Sequence, residues 1–122
     1  MQLSKHGVSR PIEKKIYKSL YRVLADIKQP RSVEIFFTGI LTETERVALA
    51  KRLAIAVYLK KNKSYQVIKN ELKVSSATIA TVQNLMIENN EGLNNALKAI
   101  EADEWASKLT RKISTVVKGW FN

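Results

Sequence analysis

The chain has 122 residues, of which 45% are hydrophobic, so it is long enough for one domain with a core and too apolar for a disordered tail. Its formal charge of +10 favours an anionic partner, either nucleic acid or an acidic membrane surface, and the lack of cysteine excludes disulfides and thiolate metal sites. A polar, basic N-terminus and no run of about 18 apolar residues predict a cytoplasmic protein that neither is secreted nor spans a membrane.

The first predicted element is an amphipathic helix that follows a flexible basic arm, residues 1–11. From Ile12 to Ile27 apolar residues recur at steps of three and four, so they share one helix face that needs a partner surface. Pro30 is expected to end this helix, because proline disfavours helical backbone in the preceding residue. The cations of the helix are interpreted as a solvated face that adds to the field attracting DNA. These cations are Lys14, Lys15, Lys18 and Arg22.

A short helix and a long helix are predicted next. The short one covers "SVEIFFTGIL" and is expected to close near Gly39. Three of its residues are expected in the core: Ile35, Phe36 and Ile40. Thr42 is a candidate N-cap for the long helix, because Glu45 three residues later would complete a capping box. That helix runs through "ERVALAKRLAIAVYLKK" and is apolar on more than one face, so it is predicted to lie at the centre of the fold.

Two short helices joined by a turn are predicted between residues 64 and 90. Ser64 can cap the first helix, and Ser75 or Ser76 can cap the second. Lys73 occupies a turn position that often holds glycine, so some strain is expected there. Five apolar residues have the spacing that would close the pair on itself and on the long helix. They are Ile68, Leu72, Val74, Ile79 and Val82. The pattern predicts a helix-turn-helix.

The second helix of this pair has no charged residue between Lys73 and Glu88, although residues 1–87 carry 16 Lys and Arg against 6 acids. Short Ser, Ala and Thr side chains would let this helix approach a major groove and contact base edges and thymine methyls. Flanking lysines would neutralise phosphates. The outward residues are Ser75, Ser76, Ala77, Ala80, Thr81 and Asn84, and the lysines are Lys60, Lys61, Lys63, Lys69 and Lys73. The alternative is a tolerant surface helix without a ligand.

From Glu91 onward the spacing is again helical. One stripe of this helix is apolar: Trp105, Leu109, Ile113, Val116 or Val117, and Trp120. Such a stripe favours packing against the domain or a dimer partner. Because Trp105, Trp120 and Phe121 lie close to several cations, docking on a membrane surface or another partner is the alternative. The predicted organisation is a helical DNA-binding domain at 12–100 and a C-terminal amphipathic helix at 101–122.

Three short motifs lie between Leu41 and Met86. Leu41 and Thr42 are followed by Glu45 and Arg46; "KNEL" covers residues 69–72; and "ATI" covers residues 77–79. In this combination the segment resembles the tryptophan repressor family. The resemblance implies an all-helical, intertwined homodimer that binds an operator with two symmetric reading heads and regulates transcription.

The resemblance also implies roles for single residues. Base-edge contacts would fall on Ser76, Ala77 and Ala80, and a phosphate or groove contact on Lys69. The helix-turn-helix pattern adds three further DNA-binding candidates: Lys73, Ser75 and Thr81. The family's effector pocket maps onto Thr42 and Arg52, which keep the family's residue types, and onto Thr81, which stands where an arginine is expected to stack on the indole ring. DNA binding without a tryptophan requirement is therefore expected.

Neither catalysis nor a bound metal or cofactor is predicted. His6 is the only histidine and lies in the arm, and Glu43 and Glu45 are two positions apart on a helix, so they do not face each other. Arg52 can either hold an anionic ligand or extend to solvent and pair with an acid. The combined prediction is an all-α, dimeric, sequence-specific regulator that binds double-stranded DNA. The alternative is a basic helical module that binds RNA, protein or an anionic membrane surface.

Overall fold

The computed structural model describes residues 7–121, without the side chains at 110, 112–118, 120 and 121. Within this part of the chain there are six α-helices and no strand, so the all-α prediction is confirmed. The helices are α1 (Arg10–Asp26), α2 (Pro30–Ile40), α3 (Glu43–Lys60), α4 (Tyr65–Leu72), α5 (Ser76–Ile87) and α6 (Glu91–Phe121). Two compact units contain them, residues 1–46 and residues 47–122. The predictions for His6 and for the side chains of Ile113, Val116, Val117, Trp120 and Phe121 lie outside the described residues.

Both helices that lie wholly in the first unit, α1 and α2, have proline in their first turn. Helix α1 begins at Arg10 with Pro11 in its first turn, so the last two residues of the predicted arm are helical. The expectation that Pro30 ends α1 is wrong, because α1 ends at Asp26 and Pro30 is the first residue of α2. Proline suits the first turn of a helix, since its ring fixes a helical φ and the missing N–H has no partner there. The predicted end of α2 near Gly39 is confirmed, since α2 ends at Ile40, although Gly39 itself is helical.

Apolar residues of the first unit remain exposed. Ile12 and Ile16 on α1 are 52% and 53% exposed. The predicted core positions Ile35 and Ile40 on α2 are 60% and 59% exposed, and only Phe36 is partly buried. The core prediction for Ile35 and Ile40 is therefore wrong for the single chain. Exposed apolar side chains such as these are nevertheless often buried by contact with a partner protein.

The predicted capping box at the start of α3 is confirmed. The N–H of Thr42 donates to Glu45 Oε1 at 2.8 Å, and the N–H of Glu45 donates to Thr42 Oγ1 at 3.2 Å. The backbone N–H of Thr42, and then its side chain, hold the pKa of Glu45 below its ordinary value of 4.5. A lowered carboxyl pKa means that this contribution to stability is present above pH 4.5 and is lost as the pH falls through the lowered pKa.

Helix α3 ends in a Schellman motif. Asn62 has a left-handed φ of 60°, which asparagine tolerates better than most residues. The N–H of Lys63 donates to the carbonyl of Tyr58 at 3.0 Å, and the N–H of Asn62 donates to that of Leu59 at 3.0 Å. These bonds satisfy two terminal carbonyls of α3, and the reversal of the chain then leads directly into α4.

Four helices build the core of the second unit. Its fully buried residues come from α3, α4, α5 and α6: Ile55, Ala56, Ile68, Ile79, Val82 and Leu97. Leu72 and Val74 are partly buried against this cluster. All five apolar positions of the predicted helix-turn-helix therefore pack where the spacing placed them. The end of α3, from Ile55 onward, contributes to this core, whereas Val47, Leu49 and Leu53 nearer its start are 44%, 48% and 40% exposed.

Helix α6 runs without a break from Glu91 to Phe121, through the boundary predicted at residue 101. Two residues of its predicted apolar stripe can be described, and both are exposed: Trp105 at 66% and Leu109 at 42%. The expected packing of these two side chains against the domain is therefore not found in the single chain. Among the described helices, none is both long and apolar enough to cross a membrane.

Candidate nucleic-acid interface

Helix α4 is positioned by a cap at its start and a side-chain contact near its end. Ser64 Oγ accepts the N–H of Val67 at 3.2 Å, as predicted for an N-cap. Near the other end of α4, the hydroxyl of Tyr58 on α3 donates to Glu71 at 2.6 Å. This hydrogen bond, together with burial, raises the pKa of Tyr58 above its ordinary value of 10.0. The contribution is present below pH 10 and is lost as the pH rises through the raised pKa.

The turn between α4 and α5 has a left-handed residue at the position where glycine was expected. Lys73 has φ 55° and ψ 56°, a conformation that is unfavourable for a residue with a Cβ atom. Its N–H donates to the carbonyl of Lys69 at 3.0 Å, and its own carbonyl accepts Lys51 Nζ at 3.2 Å. Lys51 therefore ties α3 to the turn. Nothing in the sequence spacing indicated this role, because the contact joins residues 22 positions apart.

Helix α5 begins at Ser76 and is capped by Ser75, one of the two caps that the sequence allowed. Ser75 Oγ accepts the N–H of Thr78 at 3.2 Å and lies 3.0 Å from the Thr78 hydroxyl. Tyr65 on α4 donates a hydrogen bond to Gln83 on α5, which links the two helices of the motif. The start of α5 is therefore fixed by its own side chains as well as by the core.

Replacing Ser75 with alanine should lower the free energy of unfolding by about 1 kcal/mol, because the N–H of Thr78 loses its acceptor. Ser76→Ala is the matched control: Ser76 is the next residue, exposed, and not a cap, so a change within about 0.5 kcal/mol is expected. Urea denaturation of both variants measures the difference. Equal destabilisation by the two changes would contradict the assignment of the cap to Ser75.

The first turns of α5 present a surface of small side chains. Ser75, Ser76, Ala77 and Thr81 are exposed, and Ala80 is partly buried. Sequence reasoning did not select Thr78, which is also exposed, although its hydroxyl is engaged with Ser75. The Thr81 hydroxyl donates to the carbonyl of Ala77 at 3.0 Å, so its proton is engaged within α5, while its methyl group and the lone pairs of its oxygen are free for a new contact.

The flanking lysines divide into two groups. Lys61 Nζ lies 3.0 Å from Glu104 and Lys60 Nζ lies 3.9 Å from Glu101, so two of the predicted phosphate contacts are paired with α6. Lys63, Lys69 and Lys73 form no ion pair with any residue in the described part of the chain. Positive charge without an acidic partner is therefore found beside the N-terminus of α4 and at the turn.

The three candidate effector residues are all exposed and differ in the contacts that they form. Thr42 is exposed and is engaged in the capping box, whereas Arg52 and Thr81 are exposed on α3 and α5. Arg52 has no acidic partner among the described residues, which leaves its guanidinium available to an anion. Within the same residues no cluster of three potential metal ligands occurs.

Two comparisons place this architecture among known proteins. A family model described as Trp repressor protein matches residues 15–101, well beyond the segment 41–86 that carried the resemblance. The crystal structure of a presumed Trp repressor from Staphylococcus aureus superposes with a TM-score of 0.68 at 25% identity, over 76% of this chain and 96% of that one. Comparison with curated protein sequences gave no significant match. The family match also covers the first eleven residues of α6, a region for which the sequence motifs had offered no counterpart.

Proposed function

The chain belongs to the Trp repressor protein family, and on that premise we propose that it is a transcriptional regulator that binds double-stranded DNA in a sequence-specific manner. Helix α5 would enter the major groove with its N-terminal half against the base edges. Of the exposed side chains there, Ser76 and Ala77 would contact bases, with Ala80 and the Thr81 methyl beside them. Lys69 and Lys73 would contact phosphates.

The observation that carries this proposal is a helix-turn-helix packed on the core whose second helix, α5, has small, uncharged, exposed side chains in its first turn. Ile68, Ile79 and Val82 are 0%, 0% and 1% exposed, so α4 and α5 are fixed by the core, while Ser75, Ser76 and Ala77 face solvent. A surface helix that binds no ligand would not need to be held in place by a second helix and the core in this way. The unpaired lysines beside it supply the sequence-independent attraction to phosphates.

We propose in addition that two copies of the chain form the homodimer that a symmetric operator requires. The support is the apolar surface that a single chain leaves exposed on α1, α2 and the first half of α3. A two-fold axis would present two copies of α5 to successive major grooves, one helical turn of DNA apart.

Selection of bound duplexes from a random pool tests the proposed function. A palindromic or near-palindromic consensus is expected, because half-site symmetry mirrors protein symmetry. Recovery of no consensus, with uniform retention of all duplexes, would contradict sequence-specific recognition and favour a general polyanion-binding role.

L-tryptophan should not be needed for DNA binding. Arg52 is available for a carboxylate, but Thr81 cannot supply the cationic plane that would stack on an indole ring, and its hydroxyl is engaged with Ala77. Loss of such a plane weakens binding by roughly tenfold or more, so at most a weak tryptophan site is expected. Calorimetric titration with L-tryptophan, with DNA-binding assays in its presence and absence, measures this. Tight binding that increases operator affinity would refute the prediction.

A further inference from the structure

Helix α1 carries a second stripe that the proposed function does not use. Tyr17 and Tyr21 stack with ring centroids 6.0 Å apart and an interplanar angle of 27°. Both rings are open to solvent, at 49% and 62% exposure. Together with three cations they line one open concavity on the helix. We name the stripe the tyrosine ridge; its residues are Arg10, Lys14, Tyr17, Lys18 and Tyr21.

The tyrosine ridge is distinct from the apolar stripe of the same helix. Residues 10, 14, 17, 18 and 21 follow steps of three and four, and so do the apolar residues 12, 16, 20 and 23, but the two sets are offset by about half a turn. A partner that covers Ile12 and Ile16 therefore does not need to cover the two rings. Exposed tyrosine faces beside cations call for a separate explanation.

The charge of the ridge selects an anionic partner. Arg10, Lys14 and Lys18 form no ion pair with a described residue, and Glu13 is the one acid that lines the same concavity. Three cations against one acid give the concavity an excess of positive charge that attracts phosphates, and guanidinium and ammonium groups bind phosphates directly.

The exposed faces of the two tyrosine rings narrow the choice of anionic partner further. Bases in a duplex stack on one another, so their faces are not available to a protein. Unpaired bases can stack on exposed aromatic side chains, whichever base is present. A membrane surface would use the apolar stripe of α1 rather than a ridge of cations. From the cations and rings together we propose that the tyrosine ridge binds single-stranded nucleic acid, with bases on Tyr17 and Tyr21 and phosphates on Arg10, Lys14 and Lys18. The ridge from residue 10 to residue 21 is about 17 Å long, enough for several stacked nucleotides.

Fluorescence anisotropy with the full chain and labelled oligothymidine of about 20 nucleotides tests the proposal. The variant Tyr17→Leu/Tyr21→Leu removes both rings but introduces leucine, which favours helix formation. It should bind oligothymidine at least about tenfold more weakly than the natural chain. The matched control Tyr17→Phe/Tyr21→Phe keeps the rings and should bind within about twofold of the natural chain. Lys14→Gln/Lys18→Gln should reduce the salt slope by about 1.4. Circular dichroism checks that each variant retains its helices.

Three outcomes would overturn the proposal. The first is no binding of oligothymidine by the natural chain, and the second is equal affinity of the leucine and phenylalanine variants. The third is a leucine variant that loses self-association, or binding to phosphatidylserine vesicles, while its oligothymidine affinity stays unchanged. The proposal does not depend on the helix-turn-helix: Ala77→Glu should leave oligothymidine binding intact, so failure of duplex recognition and failure of the ridge are distinguishable.

Discussion

Replacing Ala77 with glutamate should reduce operator binding to the level of non-specific duplex, a loss of roughly 10³-fold or more. Ala77 is exposed in the first turn of α5, with no charged residue between it and Glu88. A carboxylate there would face base edges and phosphates across a close contact, where it would be repelled and partly desolvated. Electrophoretic mobility shifts with a selected operator and with scrambled duplex measure both affinities.

Two further variants separate sequence-specific base recognition from non-specific electrostatic attraction to DNA. Ala102→Glu introduces the same charge at an exposed position of α6 and should leave operator affinity within about twofold, since it lies outside the proposed interface. Lys69→Ala should weaken operator and scrambled duplex alike and reduce the salt slope by about one. Normal operator binding by Ala77→Glu would show that α5 does not read the groove.

Light scattering should give twice the chain mass of 13.9 kDa, and Ile16→Asp should shift the protein to monomer. Ile16 is 53% exposed in the single chain and lies within the apolar stripe of α1. A carboxylate buried without a partner costs several kcal/mol, so the dimer should dissociate at least about a hundredfold more readily. Sedimentation equilibrium over a range of concentrations measures the dissociation constant.

Lys18→Asp is the matched control for this prediction. It places the same carboxylate two residues further on, which is the opposite side of the helix, and should leave the dimer intact. A natural chain that is monomeric at micromolar concentration would contradict the homodimer and weaken the model of two symmetric reading heads. If both aspartate variants dissociate the dimer equally, the apolar stripe is not the specific contact.

The start of α3 and the helix-turn-helix could be predicted in detail because their signals are local. Caps act over three residues, and Ser64, Ser75 and the Thr42–Glu45 pair all form the predicted hydrogen bonds. Helical spacing likewise identified Ile68, Ile79 and Val82 as core. Both kinds of signal depend on neighbours within one or two turns, which a sequence displays directly.

The core predictions that failed concern surfaces whose covering element cannot be known from spacing. Ile35 and Ile40 are apolar, yet the single chain leaves both exposed. Periodicity shows that a face is apolar without showing what covers it. The pairing of Lys61 with Glu104 and the contact of Lys51 with the turn were missed for a related reason, since each joins residues more than 20 positions apart.

The small side chains at the start of α5 also set how precisely the helix must be placed. Alanine has no rotamers to lose and serine has few, so docking would cost little side-chain entropy. A long arginine can adjust its reach when a helix shifts, but the methyl of Ala77 moves with the backbone. Recognition would then tolerate only small displacements of α5, and distant contacts that fix its pose, such as Lys51 on the Lys73 carbonyl, would influence which sequences are accepted.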